Sequence, residues 1–358
     1  MLAAESQLSV IIATRNRGDS VIRTIDSILQ NDFKGNFEGN FKGDFKDDSL
    51  ADLRSEKLYH RAASKGQKNG SSFEIVVVDQ STQDDCQKLM QKYEDEPRVV
   101  YRRTHTTGLA IARNIAINQA KNELIAITDD DCIVDQNWLW EIQKAFIEYP
   151  QAVILFGNVL TGDYDASAGF IPGYCREQVK VISTVLAKND IDGLGACMAL
   201  RKSVWREFNG FDEMLGVGGV LQASSEGDLV LQALQKGYQV CETPYVFVIH
   251  HGFRTWDQAS SLIFRYWYGT GAMYGKHLKL YPVSTGWILL LLAWRWAFGR
   301  SRVADSIGRN TRKSFRLYAF GLGLLKGLWL KIERESGHFR KIGYREKPKG
   351  HSRQQIDG

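Results

Sequence analysis

The chain has 358 residues, 44% apolar, 24% charged and 11% aromatic, which excludes a disordered or collagen-like chain. It also exceeds the roughly 250–300 residues that one core usually reaches, so two domains or one α/β domain with an appendage are expected. The net charge of +5 is unevenly spread: the 64 residues from Arg295 onward hold 16 Lys and Arg against 5 Asp and Glu, leaving a −6 body with a +11 tail.

The first seven residues lack both the basic stretch and the long apolar run of a signal peptide. Five cysteines without C-x-x-C spacing argue for reduced thiols rather than a zinc site or disulfide framework, and a cytoplasmic place is expected. Residues 8–13 read as a strand. After a polar turn, Val21, Ile22, Ile25, Ile28 and Leu29 keep helical spacing, with Asp19 or Ser20 as the expected cap. A four-residue repeat follows, Asp32-Phe-Lys-Gly, Asn36-Phe-Glu-Gly, Asn40-Phe-Lys-Gly, Asp44-Phe-Lys-Asp. Its glycines cannot sustain a helix and one aromatic per unit cannot build a core, so residues 31–72 read as a flexible surface insertion or a weak docking segment. Strands are expected at 74–78, 98–101, 124–128 and 152–156, and helices at 109–119 and 138–149. Alternation of this kind predicts an α/β domain with a mostly parallel sheet flanked by helices.

In an open α/β sheet, ligands bind beyond the carboxyl ends of the strands. Thr14-Arg15-Asn16-Arg17 follows the first expected strand, Asp79-Gln80-Ser81 the second and Asp129-Asp130-Asp131 the fourth, so three polar clusters share one rim. Adjacent carboxylates raise each other's pKa unless a cation neutralises them. Mg²⁺ or Mn²⁺ suits such a cluster, because both prefer oxygen ligands and share carboxylates with a substrate phosphate. A solvated Asp-rich turn is the alternative.

The segment 8–17, Val77-Val78-Asp79, Gly108-Leu-Ala-Ile-Ala-Arg113-Asn114, and Thr128-Asp-Asp-Asp131 followed by Trp138-Leu139 together resemble glycosyltransferase family 2. The likeness covers about residues 7–270, interrupted by the repeat insertion. It implies a Rossmann-like GT-A fold and inverting transfer from a nucleotide-sugar donor, expected to be a UDP-sugar. It further implies that Thr14 and Asp79 hold the base and ribose end of the donor, with Arg113 near its phosphates, and that Arg15 and Asn16 also bind the nucleotide-sugar. Asp129 and Asp131 match the family's Asp-x-Asp element, which contacts the ribose and the diphosphate-bound metal; Asp130 fills the middle position.

Asp192-Gly-Leu-Gly-Ala-Cys197 and Phe208-Asn-Gly-Phe-Asp-Glu213 resemble the family's acceptor side, with Cys197 standing where many relatives place Asn. Gly210-Phe211-Asp212 reads equally as a turn or as a sugar contact. In Ser224-Ser-Glu-Gly-Asp-Leu229, relatives commonly read Glu-Asp-x-Asp-Leu, which puts Glu226 at the general-base position and Ser225 where Glu is expected. Glu226, with Asp228 second, would take the acceptor hydroxyl proton. Both also suit the N-terminal turn of a helix, where carboxylates favour the dipole. His250, better than His251, matches a histidine that often completes the metal or diphosphate site; a His pair at a strand end also suits a loop cap.

Six of the nine tryptophans lie between residues 256 and 330, beside much of the basic excess, as at a membrane interface. On a helical wheel for 312–332, Arg312, Lys313, Arg316, Lys326 and Lys331 fall within an arc of roughly 140°. Leu317, Tyr318, Leu322, Leu324, Leu325, Leu328, Trp329 and Ile332 lie opposite, the pattern of a helix in a bilayer surface. A helix packed on the catalytic domain shows similar amphipathicity. Nucleic acid is not expected, since no recognition motif accompanies the charge. The uncharged stretch 280–294 is shorter than the ~18–20 residues of a spanning helix.

The expected organisation is a catalytic domain at 1–255, a helical, aromatic and basic appendage at 256–335 that meets the membrane through 287–332, and a basic flexible tail at 336–358. The expected function is inverting, metal-assisted glycosyl transfer onto a glycan or lipid-linked acceptor in polysaccharide biosynthesis, with a peripheral place on the cytoplasmic membrane face. A sugar-nucleotide nucleotidyltransferase or a dinucleotide-dependent oxidoreductase would carry a Gly-rich loop after the first strand, and Thr14-Arg-Asn-Arg17 has none. A non-catalytic scaffold of the same fold that binds glycan or membrane is the other alternative, because Ser225-Glu226 replaces Glu-Asp.

Overall fold

The computed structural model describes residues 7–31, 73–298 and 312–341; the tandem repeat lies outside them. Strands β1 (Leu8–Thr14), β2 (Phe73–Asp79), β3 (Val99–Arg103) and β4 (Leu124–Asp129) pair in parallel in the order β3-β2-β1-β4. Helices α1 (Gly18–Leu29), α2 (Asp85–Met90) and α3 (Leu109–Gln119) lie between them in sequence. The two-residue period of β1 sends Leu8, Val10 and Ile12 to one face, where Val21, Ile25 and Ile28 of α1 cover them. Ile11 points the other way and packs with Ala112 and Ala116 of α3. Both sheet faces are therefore helix-covered, which is why these strands are near-continuous apolar runs. The N-cap of α1 is Arg17, not Asp19 or Ser20; Asn16 takes a left-handed backbone (φ 56°), the helix starts at Gly18, and Asp19 falls inside the first turn.

Next come β5 (Cys132–Val134), α4 (Trp138–Glu148), β6 (Ala152–Thr161), β7 (Gly169–Phe170), β8 (Lys180–Ile182), β9 (Cys197–Arg201), α5 (Lys202–Glu207), α6 (Ser225–Gln235), β10 (Gln239–His250) and β11 (Arg254–Thr255). The sheet continues from β4 as β9-β6-β10-β5, with β9 antiparallel to both neighbours and β10 parallel to β6. In a flat sheet, β4 and β5 would stand about 19 Å apart, four strand spacings. Only Asp130 and Asp131 join them, and the step from Asp129 to Cys132 spans at most about 11 Å. The sheet must curl, and the aspartate turn is where it closes toward β10.

Three helices complete the fold: α7 (Trp256–Leu280), α8 (Pro282–Phe298) and α9 (Lys313–Trp329). Helices α7 and α9 approach closely through glycines. A Cβ on Gly271 would collide with the Phe320 carbonyl, one on Gly323 with that of Tyr268, and one on Gly327 with that of Ala272. The face of α9 that packs inward is thus the small-residue stripe. Of the apolar side of the wheel, Leu317, Tyr318, Leu322, Leu325, Leu328 and Trp329 remain exposed, whereas Leu324 and Ile332 are partly buried against the core. A third core cluster joins Met214, Leu221 and Leu231 to Met273, Tyr274, Ile288 and Phe320, so the expected boundary at residue 255 is bridged by shared core. Of the tail expected from 336, Phe339 is buried and bridges Ile332, while residues beyond 341 lie outside the described part.

Candidate active site

The parallel pairing aligns Thr14 with Asp79 and Ala13 with Asp129, so the carboxyl ends of β2, β1 and β4 stand side by side where the strand order reverses. Asp79 is fully buried; it accepts the Tyr101 hydroxyl (2.6 Å) and the Ser81 N–H (2.7 Å). Asn16 ties the first turn to the second, its N–H donating to Ser81 Oγ (2.7 Å) and its Oδ1 accepting the Thr82 N–H (3.0 Å). Arg15 is exposed on the same turn. Thr14 Oγ1 donates to Asp130 Oδ2 (2.8 Å), and Arg17 Nη1 donates to Asp130 Oδ1 (3.0 Å) and Asp131 Oδ2 (2.7 Å). Arg17, the last residue of the Thr-Arg-Asn-Arg turn, was not among the expected site residues.

The antiparallel pairing of β5 with β10 places His250 opposite Cys132 and beside Asp131. His250 Nδ1 lies 2.8 Å from the Pro172 carbonyl oxygen and donates to it, which leaves Nε2 facing Asp131 Oδ1 at 3.2 Å. Burial lowers the imidazole pKa, but the Asp131 carboxylate outweighs it and the net shift is upward. Asp131 moves the opposite way: burial raises its pKa, while His250 and Arg17 pull it below the ordinary carboxylate value. Asp130 is pushed up to about 6, chiefly by burial, with Arg17 opposing and Asp131 adding. Asp131, Cys132 and His250 bring one potential metal-ligand atom each within 4.8 Å of one another. Burial and the neighbouring aspartates push the Cys132 thiol up, so it stays protonated and the usable donors are carboxylate oxygen and imidazole nitrogen. A Cβ on Gly252 would strike His250 Nε2 and sit 2.8 Å from Asp131 Oδ2, so a glycine keeps open the space beside both donors. An oxygen-and-nitrogen set with that cradle fits Mn²⁺ or Mg²⁺. Asp129, expected to act beside Asp131, turns its Oδ1 to Arg113 Nη2 instead (3.1 Å).

Arg113 of α3 is 1% exposed and joins three segments. It donates to Asp129, to the Gly195 carbonyl (3.1 Å) and, through Nη1, to Glu226 at the start of α6. Burial raises the Glu226 pKa, but Arg113 outweighs it and the group lies below its ordinary 4.5, hence ionised at neutral pH. Gly195 is small of necessity, because a Cβ there would collide with Glu226 and crowd the Arg113 guanidinium.

Other expected residues go elsewhere. Asp228, two residues after Glu226, is 1% exposed and is engaged by Lys276 and His277 of α7, outside the Arg113 cluster. Cys197 is fully buried and accepts a bond from Trp138 Nε1 (3.5 Å), so its side chain belongs to the core. The turn at 210–213 is structural in its contacts. Asn114 exchanges two hydrogen bonds with the Phe211 backbone, the Phe211 ring lies 6.0 Å from the Arg113 guanidinium, and Asp212 is fully buried.

The family model described as Glycosyl transferase family 2 matches residues 56–207, a span that includes Asp79, Arg113 and Asp129–Asp131 but ends before Glu226 and His250. The chain is 24% identical over 179 residues to the Escherichia coli UDP-Glc:alpha-D-GlcNAc-diphosphoundecaprenol beta-1,3-glucosyltransferase WfaP, covering 47% of this chain and 57% of that protein. It is 26% identical over 198 residues to the O-antigen biosynthesis protein RfbC of Myxococcus xanthus, covering 50% of this chain and 15% of that one. The chain thus spans less than two thirds of either relative. Among solved structures, S. aureus TarS 1-349 superposes with a TM-score of 0.55 at 15% identity, over 90% of this chain and 81% of that one. The same protein in complex with UDP-GlcNAc superposes at 0.51 with 16% identity, over 87% and 79% of the two chains. The matched span, the strand order and these likenesses agree: residues 56–207 match glycosyl transferase family 2, and the chain has the GT-A fold of its solved neighbours.

Proposed function

We propose that the protein moves a sugar from a nucleoside-diphosphate sugar to a hydroxyl of a glycan or lipid-linked acceptor, with inversion at the anomeric carbon. The observation that carries this reading is the Arg113 bridge. One buried guanidinium links an ionised Glu226 to Asp129, in the same aspartate turn as the Asp131 that meets His250, so the candidate base and the candidate cation site are joined through one residue. Glu226 takes the proton of the acceptor hydroxyl, whose acidity rises as its oxygen bonds to the anomeric carbon. The bond from that carbon to the diphosphate breaks, and its electron pair leaves with the nucleoside diphosphate. Asp131 and His250 would hold Mn²⁺ or Mg²⁺, with Asp129 and Asp130 adjacent; what the ion supplies there is Lewis-acid stabilisation of charge on the departing diphosphate. Thr14, Asn16 and Asp79 border the nucleoside end. A UDP-sugar donor is supported by the UDP-glucose named for WfaP and the UDP-GlcNAc bound by TarS, and a lipid-linked acceptor by the diphosphoundecaprenol named for WfaP.

A peripheral place on an anionic membrane surface belongs to this reading. No described helix is long and apolar enough to cross a membrane. Helix α8 carries no charged residue from Pro282 to Trp294, and its outer face exposes Trp287 (58%), Leu290 (62%) and Trp294 (62%). The basic residues Arg312, Lys313 and Arg316 lie at the start of α9.

The test is to incubate the protein with UDP-sugars, Mn²⁺ or Mg²⁺ and a GlcNAc-diphospholipid acceptor, and to measure UDP release and the anomeric configuration of the product. Release that needs the ion and is lost in Asp131→Ala and Glu226→Gln, with an inverted product, is the expected result. No release with any donor, or undiminished release in both variants, overturns the reading. For the membrane contact, liposomes with anionic lipid should float the protein in a salt-sensitive manner; failure to float overturns that part.

A further inference from the structure

The first turn of α6 carries Glu226 and Asp228, and the two carboxylates leave the helix toward different partners. Asp228 Oδ1 accepts from Lys276 Nζ (2.7 Å) and His277 Nε2 (2.9 Å), while Oδ2 accepts from Gln232 Nε2 (2.9 Å). Lys276, fully buried, also donates to Asp212 Oδ2 (2.8 Å). That oxygen receives the Phe339 N–H (2.9 Å), and the Phe339 ring lies 5.5 Å from the ammonium. One cation therefore joins α6, the 210–213 turn and the C-terminal segment.

Helix α6 needs this support. Its N-cap, Ser224, sits in a left-handed conformation (φ 70°) and makes no capping side-chain bond, so the first turn lacks the usual side-chain cap. A stripe of α7 braces it, at the spacing of one helical face. Gly269 lies against the Leu221 carbonyl and Ala223, and the Thr270 and Ser224 hydroxyls are 2.9 Å apart. Met273 abuts Gly227, and Lys276 and His277 take Asp228.

We infer that Lys276 is a positioning residue: its ion pairs with Asp228 and Asp212 fix the first turn of α6 so that Glu226 meets Arg113. The inference rests on the reading of Glu226 as the general base. Thr14, Asn16 and Asp79, proposed at the nucleoside end, lie at the β1 and β2 ends, and Arg113 keeps its bonds to Asp129 and the Gly195 carbonyl without Glu226, so loss of Lys276 should act on turnover and spare donor binding.

The experiment compares wild type with Lys276→Met and with Lys276→Met/Asp228→Asn, which leaves no unpaired charge on α6 if the single variant fails to fold. UDP release from the sugar panel, UDP binding by calorimetry with Mn²⁺, and hydrogen exchange of residues 224–229 are read together. The expected result is a fall in kcat of about 100-fold, the scale of a 1 Å misplacement, with UDP affinity unchanged. Exchange should quicken in 224–229 while β1 and β4 stay protected. Wild-type kcat, a loss that tracks UDP affinity and folded fraction, or unchanged exchange overturns the inference. Exchange is read without substrate, so it decides the matter even if no donor turns over. A Glu226→Gln variant separates the two readings. If it keeps full turnover, the base assignment falls and this inference with it; if it is inactive while Lys276→Met is fully active, this inference alone falls.

Discussion

Two clusters in this protein crowd aspartates around a cation, and they differ in how far water reaches them. At the strand ends, Arg17 bonds Asp130 and Asp131 with its own side chain 41% exposed. Beneath α6, Lys276 bonds Asp212 and Asp228, and none of the three side chains is more than 1% exposed. An exposed arginine can swing away and leave its carboxylates to another cation at small cost. A buried ammonium cannot, because its departure strands two carboxylates in low dielectric. The first arrangement suits a site that receives a ligand, and the second suits a fixed joint.

The comparison breaks if the two cations prove equivalent. Lys276→Met should lower unfolding free energy by about 3–5 kcal/mol, the cost of leaving a buried partner charge unpaired, measured by chemical denaturation; a change under about 1 kcal/mol would place the joint among surface pairs. Gly252→Ala should weaken Mn²⁺ binding by about 10–100-fold, the usual effect of disturbing a ligand's immediate support, without a comparable loss of stability. Electron paramagnetic resonance titration measures it, and full-strength binding would remove Asp131 and His250 from the metal site. His277 supplies a pH test. It is buried against Lys276, Asp228 and Asp212; burial lowers its folded pKa below the ordinary 6.5, with Asp228 and Asp212 opposing and Lys276 adding. Its unfolded form therefore binds the proton more readily, so its contribution is present above pH 6.5 and is lost as pH falls through the lowered folded value. Melting curves of wild type should lose stability on acidification below 6.5 more steeply than those of His277→Gln; parallel curves would refute the assignment. The smallest effect is expected for Arg17→Ala: stability within about 1 kcal/mol of wild type, with tighter Mn²⁺ binding because two carboxylates are freed. Weaker binding would show that Arg17 helps to build the site rather than to fill it.

Much of the parallel half was legible because its signals are local. Strands β1, β2 and β4 are apolar runs whose polar ends, Thr14, Asp79 and Asp129, had to share a rim once the strands paired in parallel. The expected strand and helix positions differ from the observed ones by a residue or a few, except that β6 runs on to Thr161. The contribution of Arg17 was missed because a turn arginine carries no period, and that of Gly252 because a glycine's use depends on what stands over it. Asp228 and Glu226 looked alike, two carboxylates in one helical turn, yet Lys276, 48 residues on, draws only the first into the interior. The wheel for 312–332 separated charged from apolar residues but could not say which side packs, and Leu324 and Ile332 of its apolar side turn toward the core. Gly323 and Gly327 admit a neighbouring backbone that leucines would hold off.

The sequence by itself determined the α/β alternation, the aspartate turn at the end of an apolar strand, the order of motifs that resembles the family, and the polarity of body against tail. These follow from spacing and residue type within a few positions. Only the tertiary structure decided that Arg113 unites Asp129 with Glu226, that Asp131 is the aspartate His250 faces, and that a lysine of α7 stands behind the proposed base. Such decisions are made by side chains meeting across a curled sheet, where burial and the charge of a distant residue set whether a carboxylate holds a ligand, takes a proton or locks the fold.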